Sequence, residues 1–329
     1  MRFPNMLRAM AMTAMTACLV SFSSAAPAQT SLKMGYALAP TSHYGAGATA
    51  FAEDLAKRTG GRFKIEHFPG GALGGEREMV EQVQLGTLDL VVVSTGTVSN
   101  FVPETGIVDI PFLFRDSAHA RAVLDGPIGQ DLLVKFPARG LIALAWGEQG
   151  FRHLTNSKRA VNSPADLKGL KIRTMENAVH ITAFRTLGAL PTPMAWPEVI
   201  PGLQQGTIDG QENPISVITS AKLSQVQKNL TLTRHVYSPA LFIVSPKIYN
   251  ALSAADKKAF VDAAKAGGAA MRKFVDEVER KGVDELMRQG MQIVPKVDTA
   301  KFQASLAPAY AEYAKKYGQA NIDRIRNYK

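Results

Sequence analysis

Short apolar stretches alternate with longer segments of helical periodicity along most of the chain, which is typical of an α/β fold. Apolar or alternating stretches predict strands at residues 32–36, 62–68, 88–93, 141–146 and 170–173. Helical spacing predicts helices at residues 48–58, 76–85, 117–124, 128–136, 178–187, 196–205 and 299–317. We therefore expect strands covered by helices.

The longest helical segment spans residues 253–289 and is rich in Ala, Lys, Glu and Arg. Ser253 and Asp256 have the spacing of a capping box at its start. A single helix of this length would measure about 50 Å at 1.5 Å per residue, enough to lie across two lobes. Gly267 and Gly268 lie in its middle, and we expect them to kink the helix or split it in two.

A short internal repeat supports two similar lobes. Residues 85–90 (LGTLDL) and residues 205–210 (QGTIDG) each follow a predicted helix. In both, the helix ends near a Gly and the chain turns through Thr and Asp into a strand. The match is short, yet it agrees with two α/β units of similar construction.

The N-terminus has the composition of a secretory signal. Two arginines precede an apolar run at residues 9–22, and small residues follow at positions 26–28. The run is too short to span a bilayer. We therefore predict a signal peptide at residues 1–28, Gln29 as the first mature residue, and a periplasmic location.

Composition indicates a globular chain with a substantial core, since 46% of its 329 residues are hydrophobic and 20% are charged. The only cysteine, Cys18, lies in the predicted signal, so no disulfide is expected. Losing Arg2 and Arg8 would lower the formal net charge from +10 to +8. A basic balance suits anionic ligands, but lysines scattered over a solvated surface are the favoured explanation. No dense basic cluster with interleaved aromatics occurs, which argues against nucleic acid.

Arg173 is the strongest candidate for binding chemistry, because it ends an otherwise apolar strand at residues 170–173. A buried guanidinium needs an anionic or strongly polar partner, and its planar fork fits a carboxylate. Ligands of α/β proteins bind at such strand ends. The alternative is an internal acid, such as Glu176 or Glu212.

Arg152 is a second candidate anion contact, flanked by Phe151 and His153. Glu148 lies four residues earlier, so Arg152 and Glu148 could instead form an ion pair at the mouth of a cleft. Both arrangements can hold at once, because an acidic partner can orient an arginine toward a ligand.

Asn213 precedes a proline, which favours an extended backbone at this position. Its amide could donate to a ligand oxygen and accept from a hydroxyl. The alternative is the N-cap of a helix over residues 215–225, and residue type alone favours the cap.

Apolar residues near these polar groups are candidates for pocket walls, although aromatics are more often part of the core. They are Trp146, Phe151, Met194 and Trp196. Residues 45–50 fit the spacing of a dinucleotide-binding loop, but residues 40–44 separate them from the preceding strand. A ligand-facing loop carrying Ser42, His43 and Tyr44 is the better interpretation.

Nothing in the chain pairs a nucleophile with a base, and the six histidines lack the spacing of a metal site. We therefore expect no cofactor, no metal and no catalysis.

Four segments in order carry a family resemblance: residues 151–156 (FRHLTN), 165–173 (ADLKGLKIR), 187–194 (LGALPTPM) and 203–214 (LQQGTIDGQENP). Together they resemble the extracytoplasmic solute-binding subunit of a TRAP (tripartite ATP-independent periplasmic) transporter, in the dicarboxylate-binding-protein branch. The resemblance covers essentially the whole mature chain.

The resemblance implies a two-lobed α/β periplasmic binding protein fold with hinge strands and a long lobe-spanning helix. Lobe I would comprise residues 29–150 plus about 239–278, and lobe II residues 151–238 plus about 279–329 with the C-terminal helices. Arg173 would be the main carboxylate anchor, with Arg152 and Asn213 as further contacts. Ser94 stands where some members place an acidic contact. The full candidate ligand site is Arg173, Arg152, Asn213, Glu148, Trp146, Met194, Trp196, His43, Ser94 and Tyr237.

The function implied is capture of a small organic acid between the lobes and its delivery to the TRAP membrane permease subunits. A monomer that binds no nucleic acid is expected. The alternatives are a secreted enzyme acting on carboxylates and a ligand-binding module for a membrane sensor.

Overall fold

The computed structural model describes residues 29–329, so the predicted signal peptide at residues 1–28 lies outside the described residues. Its strands are β1 (Thr30–Tyr36), β2 (Phe63–Phe68), β3 (Leu90–Ser94), β4 (Ile142–Asn156), β5 (Lys171–Thr174), β6 (Leu190–Pro193), β7 (Gly210–Pro214), β8 (Asn229–Val244) and β9 (Gln292–Val294). Within this range they form one mixed sheet in the order β2-β1-β3-β8-β4-β7-β5-β6, with β9 beside β8. The predicted α/β class is confirmed.

Helices cover this sheet and connect its strands. They are α1 (His43–Arg58), α2 (Glu76–Leu85), α3 (Thr95–Val98), α4 (Ser117–Asp125), α5 (Pro127–Leu133), α6 (Ala178–Thr186), α7 (Trp196–Gln205), α8 (Ile215–Ser220), α9 (Pro246–Ala251), α10 (Ala254–Arg288), α11 (Thr299–Ser305), α12 (Ala307–Tyr317) and α13 (Gln319–Arg326). Short 3-10 helices occur at Pro103–Asp109, Pro137–Arg139, Pro164–Leu167 and Leu223–Gln225.

Two units of the same construction form the two ends of the sheet. In the first, β1 pairs in parallel with both β2 and β3, and in the second, β5 pairs in parallel with both β6 and β7. Helices α2 and α7 both end at a glycine with positive φ, Gly86 at 71° and Gly206 at 73°. Glycine adopts this conformation without steric cost, so both helices stop one turn before their strands. The internal repeat in the sequence reflects this duplicated architecture.

Two long antiparallel strands, β4 and β8, connect the units. The first half of β4 pairs with the end of β8, which also pairs with β3. The second half of β4 pairs with β7 from Arg152 to Asn156. The pairing of β4 with β8 shifts register between Ala143 and Ala145, between Glu148 and Gly150, and between Arg152 and Leu154. The sequence predicted only the apolar start of β4 and did not predict β8, because both strands carry many polar residues beyond their apolar ends.

Helix α10 runs for 35 residues without interruption, so Gly267 and Gly268 do not split it in two. The glycines instead allow close packing. A Cβ on Gly268 would lie 2.3 Å from the carbonyl oxygen of Trp146, and one on Gly267 would lie 2.6 Å from Cζ of Phe242. Neither this helix nor any other within residues 29–329 is both long and apolar enough to cross a membrane.

The structure corrects three predicted helix boundaries. Helix α1 begins at His43 rather than residue 48, because the Ser42 hydroxyl caps it by accepting from the Gly45 N–H. The predicted helix at residues 299–317 is two helices, since Pro308 lacks an N–H and starts a new one. The helix expected at residues 215–225 ends at Ser220.

The first unit is held together by an aromatic core between α1, α10 and the sheet. The rings of Phe51 and Phe242 stack with centroids 5.7 Å apart, and the ring of Phe260 meets Phe51 edge-on at 6.1 Å. All three side chains are fully buried. Each contributes roughly 1.5–3 kcal/mol through removal of apolar surface from water. This packing fixes α10 against the strands that lead to the cleft.

Candidate functional site

A small cleft lies between the two units, at the carboxyl ends of their parallel strands. Its volume is about 30 Å³. The residues that line it are Ala37, Leu38, Tyr44, Glu76, Thr97, Gln149, Arg173, Met175, Glu176, Met194, Ala195, Trp196 and Asn213. Both units and the connecting strand β4 contribute residues to this lining.

Arg173 lies on β5 and lines this cleft with only 3% of its surface exposed. Its Nε and Nη2 donate to the carbonyl oxygen of Met194 at 2.9 and 2.6 Å. Its Nη1 has no hydrogen-bond partner among residues 29–329. Burial lowers the pKa of Arg173 to about 10, so the side chain remains a cation at neutral pH. The Met194 carbonyl thus fixes the guanidinium while donors stay available.

Met194 and Trp196, both predicted as pocket walls, also lie at this cleft. Met194 supplies the carbonyl that orients Arg173, and the Trp196 ring centroid lies 5.8 Å from Cζ of Arg173. A guanidinium near an aromatic ring face is stabilised by the ring quadrupole. The Met194 carbonyl and the Trp196 ring therefore both stabilise the Arg173 guanidinium.

Arg152 is fully buried and does not line the cleft, which differs from the predicted direct anion contact. Its partner is Glu212 rather than Glu148. The Arg152 Nε and Nη2 donate to the two carboxylate oxygens of Glu212, and Nη2 also reaches the Glu212 carbonyl at 2.6 Å. Despite burial, Arg152 and the bond from His235 hold the pKa of Glu212 well below its usual range. Sequence spacing could not reveal this pair, which is formed across β4 and β7.

Glu148 and Trp146 are also placed away from the cleft. The buried Glu148 carboxylate accepts from Nε and Nη2 of Arg121 at 2.6 and 3.0 Å. The Trp146 indole N–H donates to the Gly129 carbonyl at 3.2 Å, and its ring is buried in the core. Both residues lie in the part of β4 that faces α4 and α5, so they support the connecting strand.

Asn213 lines the cleft and is not a helix cap, contrary to the preference from residue type. Pro214 occupies the N-cap position of α8, and the Asn213 Nδ2 donates to Oε1 of Gln211 at 2.5 Å. Gln211 in turn donates to the Thr155 hydroxyl at 2.9 Å. This chain of amides orients Asn213 at the end of β7.

His43, Ser94 and Tyr237 are buried but do not line the cleft. The His43 ring packs edge-on against Tyr44 at 4.8 Å, and burial lowers the pKa of His43 to about 3. The Ser94 hydroxyl caps α3 by accepting from the Gly96 N–H at 3.1 Å. The Tyr237 ring packs between aromatic neighbours in the core. Helix capping explains the position of Ser94, whereas both ring nitrogens of His43 and the Tyr237 hydroxyl are buried without a hydrogen-bond partner among residues 29–329.

Tyr44, predicted to face the ligand from a loop, lines the cleft from helix α1, and Glu76 is a cleft residue that the sequence did not predict. Glu76 is the first residue of α2, and its Oε1 accepts from the Tyr44 hydroxyl at 3.0 Å. Burial raises the pKa of Glu76, opposed by hydrogen bonds and by the Arg173 charge. The internal repeat contained a signal for Glu76. Trp196, a predicted pocket wall, starts α7, and Glu76 starts the equivalent helix α2. An acid that starts a helix is usually explained by the helix dipole, which hid it.

A larger cavity of about 640 Å³ lies elsewhere, between the 3-10 helix at Pro103–Asp109, α5 and the C-terminal helices. The charges that line it are solvent-exposed, including the pair of Asp131 and Arg324. Within residues 29–329 no group of three His, Cys, Asp or Glu side chains is placed to hold a metal ion. The buried cation of the inter-unit cleft therefore remains the candidate site.

A buried, preoriented guanidinium between two hinged α/β units defines a class of protein, the two-lobed binding proteins that enclose small anionic solutes. A family model for bacterial extracellular solute-binding proteins, family 7, matches residues 34–316. The chain belongs to this family, whose members are solute-binding proteins and not enzymes.

Several relatives support the assignment. A TRAP periplasmic solute-binding protein from Bordetella, in which bound density was assigned as pantoate, is 62% identical with a TM-score of 0.90, covering 92% of this chain and 100% of that one. A Polaromonas counterpart bound to D-erythronate is 58% identical with a TM-score of 0.90, covering 92% and 99%. The 2,3-diketo-L-gulonate-binding periplasmic protein of Escherichia coli is 39% identical, covering 91% and 92%. The resemblance seen in the sequence and the two-lobed fold are confirmed.

Proposed function

We propose that this protein is the periplasmic subunit of a TRAP transporter that captures a short hydroxylated monocarboxylate and delivers it to the membrane permease subunits. Arg173 is the carboxylate anchor in this proposal. Asn213, Met194 and Trp196 line the cleft beside it. Arg152 lies outside the cleft and holds the Glu212 carboxylate, whose charge acts on Arg173.

The observation that carries the proposal is the arrangement of Arg173. Its guanidinium is buried, held by the Met194 carbonyl, and left with an unpartnered Nη1 in the cleft. A buried cation with free donors is costly unless an anion completes it. Among the described residues 29–329, no acidic side chain bonds directly to Arg173, although Glu212, Glu76 and Glu176 are near enough to act through their charges. A ligand carboxylate supplies the missing partner.

The expected ligand class follows from the relatives of highest identity. Pantoate and D-erythronate, bound by the Bordetella and Polaromonas proteins, share a 2,4-dihydroxybutanoate skeleton. Both carry one carboxylate and hydroxyls at the same two positions. Identities near 60% favour a ligand of this type for the present chain over a longer sugar acid.

Binding requires movement of the two units. The cleft of about 30 Å³ is too small for a ligand of nine or more heavy atoms to enter. We propose that residues 29–150 with about 239–278 form lobe I and that residues 151–238 with about 279–329 form lobe II. The register shifts in β4 near Glu148 and Arg152 support hinges at this boundary. Closure excludes water, which strengthens the ion pair by lowering the local dielectric.

The remaining parts of the proposal come from the family. A signal peptide at residues 1–28 would direct the chain to the periplasm, and the mature protein would act as a monomer without nucleic acid. A role in delivering the ligand to a membrane sensor rather than a permease is the alternative. Membrane-protein genes beside this one would distinguish transport from sensing.

A thermal-shift screen against organic acids tests the proposal, since a ligand that binds only the folded state raises Tm by mass action. The panel contains D-erythronate, pantoate, galactonate, succinate and butyrate. We expect D-erythronate and pantoate to give the largest shifts and calorimetry to give micromolar or tighter affinity. Recovery of the ligand unchanged after incubation is also expected. Absence of any shift by carboxylates would contradict the proposal.

A further inference from the structure

The bonding of Glu76 leaves it one open acceptor position. Its Oε1 accepts from the Tyr44 hydroxyl at 3.0 Å and from the Ser94 N–H at 3.2 Å. Its Oε2 accepts from the Thr97 hydroxyl at 2.8 Å. A carboxylate oxygen has about two acceptor sites, so Oε2 retains one while Oε1 has none. This atom belongs to a side chain that lines the cleft opposite β5.

We infer that Glu76 determines which anions the cleft accepts: it binds a hydroxyl of the ligand and excludes a second carboxylate. The inference rests on the proposed function, because it assumes that Arg173 holds the first carboxylate. With Arg173 on one unit and Glu76 on the other, the ligand spans a cation and an acceptor. A short acid with a hydroxyl beyond its carboxylate satisfies both groups.

The charges that line the cleft support this discrimination. They are one cation, Arg173, and two carboxylates, Glu76 and Glu176. Glu176 is 33% exposed and lies 3.8 Å from Arg77, so solvent and that arginine weaken its influence. Glu76 is half-buried, and its neighbours Tyr44, Ser94 and Thr97 all donate to its ionised form. These donors favour a charged Glu76 against the cost of burial, and a nearby charge of the same sign is repelled strongly in such surroundings.

A dicarboxylate of similar length would place its second anionic group against Glu76. In the part of the chain that the structure describes, Arg173 is the only arginine lining the cleft, so that group would face a carboxylate without a compensating cation. A hydroxyl in the same position instead donates to the open site on Oε2. The same residue thus attracts one class of ligand and rejects the other, which is how strong specificity arises.

Calorimetry with D-erythronate and succinate tests the inference in the wild type and in Glu76→Gln. The substitution preserves size and removes the charge. We expect the wild type to prefer D-erythronate by at least about 100-fold. In Glu76→Gln, D-erythronate should bind at least about tenfold more weakly, and succinate should bind more tightly than it does to the wild type. The ratio of the two affinities should therefore fall at least about tenfold.

Glu81→Gln is the matched control, since Glu81 lies exposed on the same helix and outside the cleft. It should leave both affinities unchanged. Equal weakening of both ligands by Glu76→Gln, or a wild type that prefers succinate, would overturn the inference while leaving carboxylate capture intact. A wild type that binds no acid of the panel would instead refute the proposed function. Melting curves of each variant establish that it is folded.

Discussion

The side-chain amide of Asn177 donates to the carboxylate of Asp109, with Nδ2 and Oδ2 3.0 Å apart. Asn177 lies just before α6 in the second unit, and Asp109 ends the 3-10 helix Pro103–Asp109 that packs on α3 of the first unit. The same Nδ2 lies 3.0 Å from the Gly96 carbonyl and 3.1 Å from the Ser99 hydroxyl. These hydrogen bonds from Asn177 to Gly96, Ser99 and Asp109, here called the clasp, join the two units beside the cleft.

Substitution of Asn177 should weaken ligand binding without removing any residue that lines the cleft. Asn177→Asp keeps the cap of α6, because Oδ1 still accepts from the His180 N–H, but sets a second carboxylate against Asp109. At pH 8, above the pKa of about 7 for Asp109, we expect at least about a tenfold loss of affinity for D-erythronate, from repulsion in the closed form. Small-angle scattering at saturating ligand should show a larger radius of gyration than the wild type.

Asn177→Ala is the companion variant, which removes both the clasp and the cap. Loss of the cap alone costs about 1 kcal/mol of stability. Its melting temperature should therefore fall more than that of Asn177→Asp at low pH, where the carboxylates are protonated. Unchanged affinity in both variants would show that the clasp does not contribute to closure.

Asp109 should make the stability of the protein depend on pH. Burial raises the pKa of Asp109 from 3.8 to about 7, against hydrogen bonds from Thr95 and Asn177 and the charge of Arg152. Between these pH values the folded chain holds more protons at this site than the unfolded chain. The contribution of Asp109 to the free energy of unfolding therefore falls as pH rises from about 4 to about 7.

Asp109→Asn isolates this contribution, because the amide does not titrate while Arg152, Glu212 and Tyr317 remain in place. Its unfolding free energy, relative to the wild type, should increase by on the order of a few kcal/mol between pH 4 and pH 8. Urea unfolding at several pH values measures the difference. A difference that does not change with pH would contradict the prediction.

Arg152 should be required for the stability of the fold. A second substitution, at Glu212, should recover only part of the stability lost when Arg152 is replaced. Arg152→Met leaves the buried Glu212 carboxylate without its main partner, which costs about 3–5 kcal/mol. Arg152→Met combined with Glu212→Leu removes both charges and should restore much of that loss. The remaining defect reflects His235, whose Nε2 lies 3.1 Å from Glu212. Equal destabilisation by the single and double variants would contradict this account.

Arg173 should be required for binding and not for folding. Arg173→Ala should reduce affinity for D-erythronate at least about 100-fold, because the carboxylate loses its fork of charge-assisted donors. Arg173→Lys should also bind poorly, since an ammonium cannot reproduce the paired geometry. Arg280→Ala, on the exposed face of α10, is the control and should bind normally. Micromolar affinity in Arg173→Ala would contradict the anchor role.

The alternation of strands and helices predicted the architecture well, because apolar periodicity is a local property. It failed for β8, whose polar residues are buried by pairing with the equally polar second half of β4. Strand pairing supplies the hydrogen bonds that such a segment needs, and no local pattern reveals the partner. The duplicated units were visible only as a short repeat around Gly86 and Gly206.

The candidate site was predicted in part for a related reason. The rule that ligands bind at strand ends placed Arg173 at the cleft. Whether Arg152 faces a ligand or an internal acid depends on Glu212, which is 60 residues away and meets it across two antiparallel strands. Glu76 was missed because an acid at the start of a helix has an ordinary explanation in the helix dipole.

Gly268 provides a test in which two explanations predict opposite signs. If this glycine merely weakened α10, replacement by alanine would stabilise the helix by about 1 kcal/mol. The structure instead brings the helix so close to β4 that a Cβ would lie 2.3 Å from the Trp146 carbonyl oxygen, a backbone atom that cannot rotate away. We therefore expect Gly268→Ala to destabilise the protein by about 1–3 kcal/mol. Lys265→Ala, on the exposed face of the same helix, should change stability by less than about 0.5 kcal/mol in the same urea titration.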